Sequence, residues 1–158
     1  MNNKKIVLFD IDYTLFDTDI FKESGLKKHS VYNEVNDVLT KLSRIAILGI
    51  FSEGDLEFQE NKLLKTGIQK HFDKDYIHIA EKKEEILKKI IQKYINNRVF
   101  LVDDKLSILH LAKNISFPLF TIWVKRGMYA INQKEISGFK PDAVVNDLKE
   151  IVPLITNS

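Results

Sequence analysis

Two aspartates two residues apart, Asp10 and Asp12, follow the apolar run Ile6 to Phe9 in the stretch KKIVLFDIDYTLFD, with Thr14 just behind them. A second acidic pair, Asp103 and Asp104, follows the run Val99 to Val102. Ser52 closes the run Ile45 to Phe51, and Lys82 and Lys83 come soon after Tyr76 to Ala80. Carboxylates gathered in one place repel unless a cation lies among them. Hard oxygen donors without His or Cys select Mg²⁺ over zinc. A hydroxyl and an ammonium opposite such a cluster are what an anion such as a phosphate requires.

These residues meet only if the chain brings the ends of its apolar runs together. Runs of strand length alternate with segments of helical period, and the last and weakest of the runs is Ala143 to Val145. GDLEFQENKLLKTG reads as a helix ended by Gly67, and EKKEEILKKIIQKYI as a stronger one, with Ile86, Leu87, Ile90, Ile91 and Tyr94 on one stripe. Leu106 to Lys113 and Asp147 to Ile155 complete the helices, while 17–42 reads as a loop with one or two helices. Strand, helix, strand, helix with short links predicts an α/β fold with a mostly parallel sheet covered on both faces. Ligands of such sheets bind outside the carboxyl ends of the strands, where all the polar residues above are expected to converge.

The 158 residues, 44% hydrophobic and 29% charged, suit one globular domain over 1–158. With 24 Lys and Arg against 22 Asp and Glu, there is no specific nucleic-acid signal. The absence of cysteine excludes thiol nucleophiles, disulfides and Cys-based zinc sites. His29, His71, His78 and His110 lack metal-ligand spacing. No stretch has the pattern of a signal peptide or the length of a bilayer span, so the expectation is a cytoplasmic protein with no membrane partner.

FDIDYTL resembles the DxDxT motif of the haloacid dehalogenase superfamily, whose members are mostly Mg²⁺-dependent phosphatases. Ser52, a lysine after the third strand and the VDD of Val102 to Asp104 resemble the family's second, third and fourth motifs in order. The resemblance extends through GDLEFQENKLLKTGI, VDDKLSILHLAK and TIWVKRG, over nearly the whole chain outside 17–42. It implies a Rossmann-like three-layer fold. Asp10 is then the nucleophile that forms an aspartyl phosphate, and Asp12 the general acid and base. Asp10, Asp103, Asp104 and the backbone carbonyl of Asp12 are the implied Mg²⁺ ligands. Ser52 and the lysine hold the phosphoryl oxygens, and Thr14 orients the loop beside the phosphate.

Between the two lysines the expectation is Lys82, because Leu87, Ile90 and Ile91 then fall where the family has its core residues. Asp104 has a second reading as a helix N-cap, and so has Ser52. Tyr13, where small residues or Asn are frequent, predicts a narrower or more aromatic pocket mouth. Dehalogenases of the superfamily lack an acid two residues after the nucleophile, because a departing halide needs no proton. Asp12 therefore favours phosphomonoester hydrolysis. The gaps from Asp10 to Ser52 and from Ser52 to Lys82 are too short for a full cap domain, so the short insert at 17–42 marks a capless or minimally capped member. Its substrate is a phosphorylated metabolite or macromolecular phosphoester of unknown identity, reached by an open site or one closed by a second subunit in an oligomer. The alternatives are a non-catalytic phosphate-binding or regulatory module, and a phosphotransferase.

Overall fold

The computed structural model describes residues 3–116 and 118–158. Among these residues, six strands form one sheet: β1 (Lys5–Phe9), β2 (Ile47–Glu53), β3 (Ile77–Ala80), β4 (Arg98–Asp103), β5 (Phe120–Val124) and β6 (Ala143–Val145). Every pairing is parallel and the order is β3-β2-β1-β4-β5-β6, so the sheet is wholly parallel where a mostly parallel one was expected. The chain moves outward from β1 through β2 to β3, then returns to the other side of β1 as β4. That reversal opens a crevice at the carboxyl ends of β1 and β4, the place where such sheets bind ligands.

Among the described residues, seven α-helices cover the sheet: α1 (Thr18–Glu23), α2 (Val35–Leu42), α3 (Leu56–Lys65), α4 (Lys83–Lys93), α5 (Leu106–Ile115), α6 (Gly127–Ile131) and α7 (Ile151–Thr156). Side chains of a strand alternate between faces, and in β1 this sends Val7 and Phe9 into one core cluster and Ile6 and Leu8 into another. The first cluster also holds Val38 and Leu39 of α2 and Ile151 and Ile155 of α7; the second holds Leu87, Ile90 and Ile91 of α4 and Leu109 and Ala112 of α5. A strand buried on both faces needs the near-continuous apolar run that β1 and β4 have.

The segment between β1 and β2 holds α1 and α2. It is fastened to the sheet by a buried ion pair between Glu34 and Arg126, which also donates to the Thr14 carbonyl at 2.5 Å. The Arg126 guanidinium lies over the Tyr32 ring, 3.7 Å from its centroid. Gly67 is left-handed at φ 75° directly after α3 and Thr66, the conformation that stops a helix there. Pro153 lies inside α7, whose first turn tolerates it because an N-terminal N–H has no helical partner to lose. Helix α6 and the short 3₁₀ turns at Ile68–His71 and Lys74–Tyr76 have no counterpart in the sequence reading, while the helix expected over Asp147 to Ile155 is a 3₁₀ turn at Leu148–Glu150 that runs into α7. Among the described residues, no helix is long and apolar enough to cross a membrane.

Candidate active site

Adjacent strands bring the two acidic pairs together. The Asp10 N–H donates to the Val102 carbonyl at 2.9 Å, so the end of β1 is tied to the end of β4. Asp10, Asp103 and Asp104 are all buried, and one carboxylate oxygen from each lies within 4.8 Å of the others. Burial pushes the Asp10 carboxyl up to about 6, with Lys83 opposing the shift and Asp103 adding to it. Burial and the neighbouring Asp10 and Asp103 push Asp104 up to about 10. A buried all-carboxylate donor set whose members resist ionisation together suits a hard divalent cation such as Mg²⁺, which would hold them ionised. Asp104 does not cap α5, whose N-cap is Lys105. Its carbonyl is fixed by Trp123 Nε1 at 3.0 Å and Gln133 Nε2 at 2.9 Å, which leaves the carboxyl aimed at Asp10.

The lysine of the cluster is Lys83, and Lys82 does not enter it. Lys83 Nζ donates to Asp10 at 3.1 Å and makes a shorter contact with Asp103; 1% of the residue is exposed. Burial works against its ammonium, but Asp10 and Asp103 overcome that and hold its pKa above the usual lysine value. Lys82 is the N-cap of α4, with extended backbone, and its side chain is 73% exposed beside Glu85. The helical period carries the correction: Lys83, Leu87, Ile90 and Ile91 share the buried face of α4. Glu53, at the end of β2, receives the Lys83 N–H at 3.1 Å and so caps the start of that helix.

Asp12 stands apart from the carboxylate cluster. Lys62 Nζ lies 2.7 Å from its Oδ1, Thr18 Oγ1 donates to the same oxygen at 3.1 Å, and Gln59 Nε2 donates to Oδ2 at 3.0 Å. The turn that presents it is folded on Ile11, whose carbonyl receives the N–H groups of Thr14, Leu15 and Phe16. Ser52 and Thr14 are both fully buried. Ser52 Oγ accepts from Gln59 Nε2 at 3.0 Å, which leaves its proton free to donate. Ser52 lies within β2 and caps no helix; α3 is capped by Asp55. Thr14 Oγ1 is sealed among its neighbours with no hydrogen-bond partner among the described residues, so the hydroxyl expected beside the phosphate does not reach the cleft.

A cleft of about 520 Å³ has Asp10, Asp12, Lys62, Lys83 and Asp104 in its wall, while Ser52 and Thr14 lie behind it. Its rim is Tyr13, Phe21, Lys22 and Leu26 from the chain between β1 and β2, Phe58 of α3, Lys105 and Tyr129. Tyr13 adopts a left-handed φ of 61°, rare for an aromatic residue. Its ring fits because Gly127 has no Cβ: one placed there would lie 2.7 Å from Tyr13 Cδ1. The mouth is aromatic, in line with the expectation from Tyr13. Lys62, Gln59 and Glu53 were not among the site residues read from the sequence. Helix α3 buries Gln59 and Lys62 while Leu56, Phe58 and Leu64 lie exposed, an inversion that hides them from any rule placing apolar residues inside.

No protein-family model and no curated protein matches the chain. Solved structures do. A haloacid dehalogenase-like hydrolase from Burkholderia xenovorans superposes with a TM-score of 0.81 at 22% identity, covering 98% of each chain. The magnesium-bound HAD-hydrolase YfnB from Bacillus subtilis gives 0.72 at 14% identity, over 98% of this chain and 99% of that one. The chain has the fold of the haloacid dehalogenase-like hydrolases. An L-2-haloacid dehalogenase shares that fold as closely as YfnB does, at TM-score 0.72 and 14% identity over 98% of this chain and all of its own, so the HAD-like fold by itself does not separate phosphate from halide chemistry.

Proposed function

We propose that the protein is a Mg²⁺-dependent phosphomonoester hydrolase that works through an aspartyl phosphate on Asp10. The observation that carries this reading is that Asp10 and Asp12 line one cleft in different electrostatic settings. Asp10 sits with Lys83 among acids, and Asp12 is held by Lys62, Gln59 and Thr18. Two carboxylates in unlike settings suit two roles.

In the first step an Asp10 oxygen bonds to phosphorus, the bond from phosphorus to the ester oxygen breaks, and Asp12, entering in the protonated form that the second step restores, delivers its proton to that departing oxygen. In the second, Asp12 takes a proton from water as the water oxygen bonds to phosphorus. The Asp10 to phosphorus bond breaks and inorganic phosphate leaves. Lys83 stabilises charge on the transferring oxygens, while Ser52, buried behind the cleft, holds Gln59 in place. Asp10, Asp103 and Asp104 would hold Mg²⁺, and the positive charge it would supply there lets a carboxylate approach a phosphate dianion. A halide leaves without a proton, so a positioned Asp12 favours the ester substrate.

Purified protein with Mg²⁺ is expected to release phosphate from para-nitrophenyl phosphate, to stop when chelated, and to release no chloride from a chloropropionate. Chloride release without phosphate release would make it a dehalogenase. Vanadate binding with neither activity would make it a phosphate-binding module.

A further inference from the structure

Lys62 is a charged side chain buried to 5% exposure in an aromatic enclosure. Its Nζ lies 4.8 Å from the ring centroid of Phe58, 5.1 Å from that of Phe16 and 5.4 Å from that of Phe21. Aromatic faces attract a cation but do not replace water as hydrogen-bond partners, and a buried ammonium requires an anion. Among the described residues, the oxygen that Lys62 Nζ meets is Oδ1 of Asp12. Gln59, one helical turn earlier on the same face of α3, takes the other Asp12 oxygen and also bonds Ser52 Oγ and the Glu53 carbonyl. The Asp12 carboxylate thus has donors on both oxygens, yet its side chain stays 31% exposed to the cleft.

Resting on the role of Asp12 given above, we propose that Lys62, braced by Gln59, is a positioning residue that aims the Asp12 carboxyl at the leaving-group oxygen. The ammonium cannot move into solvent without leaving its three rings, so the carboxylate paired with it is fixed too. Lys62 also lines the cleft, but its ammonium is engaged by Asp12 and it acts through that carboxyl. The insert shares in the device, because Phe21 and Thr18 belong to α1, so the short segment between β1 and β2 serves proton transfer as well as enclosing the cleft.

The test is Lys62→Met, which keeps length and apolar packing but removes charge and donor. It is read as kcat/KM on two phosphomonoesters of similar size, since kcat/KM reports formation of the phosphoenzyme. Para-nitrophenyl phosphate has a leaving group that needs no proton, and phenethyl phosphate has one that does. Asp12→Asn is expected to lower kcat/KM for phenethyl phosphate by about 10²- to 10⁴-fold, well beyond its effect on the aryl ester. Lys62→Met is expected to shift the ratio between the two esters in the same sense by about tenfold, and to shift it no further in the Asp12→Asn background. An equal loss on both esters, or a rise in KM with the ratio unchanged, would overturn the positioning role and leave Lys62 a structural or substrate-binding residue. If Asp12→Asn itself leaves the ratio unchanged, the role of Asp12 falls and this inference falls with it. The first failure is confined to Lys62, so the two are distinguishable.

Discussion

Two clusters of charge share one cleft and are built in opposite ways. At the ends of β1 and β4, three acids surround one ammonium, so the group carries an excess of negative charge that burial makes costly. On α3 and the turn after β1, one acid meets one ammonium and two neutral donors, and the charges cancel. The first arrangement is incomplete without a cation and is therefore suited to bind one. The second is complete in itself and suited to hold a carboxyl still. A binding centre keeps its charge unbalanced, and a positioning device balances it.

Substitutions that break this contrast should differ in size. The largest effect is expected for Asp10→Asn, which removes the proposed nucleophile and should lower phosphate release by at least about a thousandfold with the circular dichroism spectrum unchanged. Lys83→Met should follow, with a loss of about 10²- to 10³-fold in kcat, while Lys82→Met at the exposed N-cap leaves activity as it was. Comparable effects of the two lysine changes would dissolve the distinction drawn between them.

The excess negative charge also predicts a pH dependence. The carboxyls of Asp10, at about 6, and Asp104, at about 10, lie above their unfolded value of 3.8, so the folded state holds protons that the unfolded state releases. Their contribution to stability is full below the unfolded value and is lost as pH rises toward the folded ones. The melting temperature of chelated protein should therefore fall between about pH 5 and about pH 8, and the gain on adding Mg²⁺ should be larger at the upper end. A gain independent of pH would separate the metal from these carboxyls. The smallest effect is expected at the rim, where Lys105 pairs with Glu53 at 3.3 Å with both side chains about one-third exposed. Lys105→Ala should cost under about 1 kcal/mol in denaturant unfolding.

The same contrast explains what could be read from the sequence. Strand ends are legible because an apolar run stops where its carboxylates begin, as at Phe9 to Asp10 and Val102 to Asp103. The parallel sheet then follows from alternation, and with it the meeting of Asp10, Asp103 and Asp104. The identity of the lysine is also legible in principle, since a period of 3.6 puts Lys83 on the stripe of Leu87, Ile90 and Ile91, whereas family spacing points to Lys82. Gln59 and Lys62 could not be read in this way. Their buried face has Leu63 as its one apolar residue, too little to mark a stripe, and their partner Asp12 is about fifty residues away, so spacing does not signal the pairing. Helix α6 was equally silent, being one short turn after β5.

The central claim is that phosphorus becomes bonded to Asp10. Quenching the protein in acid during turnover of a phosphomonoester with Mg²⁺, followed by intact mass measurement and peptide mapping, tests it most directly. The account predicts a population carrying one phosphoryl group on the peptide that contains Asp10, and none in Asp10→Asn. Phosphate release that continues in Asp10→Asn, with no phosphorylated peptide in either protein, would contradict it.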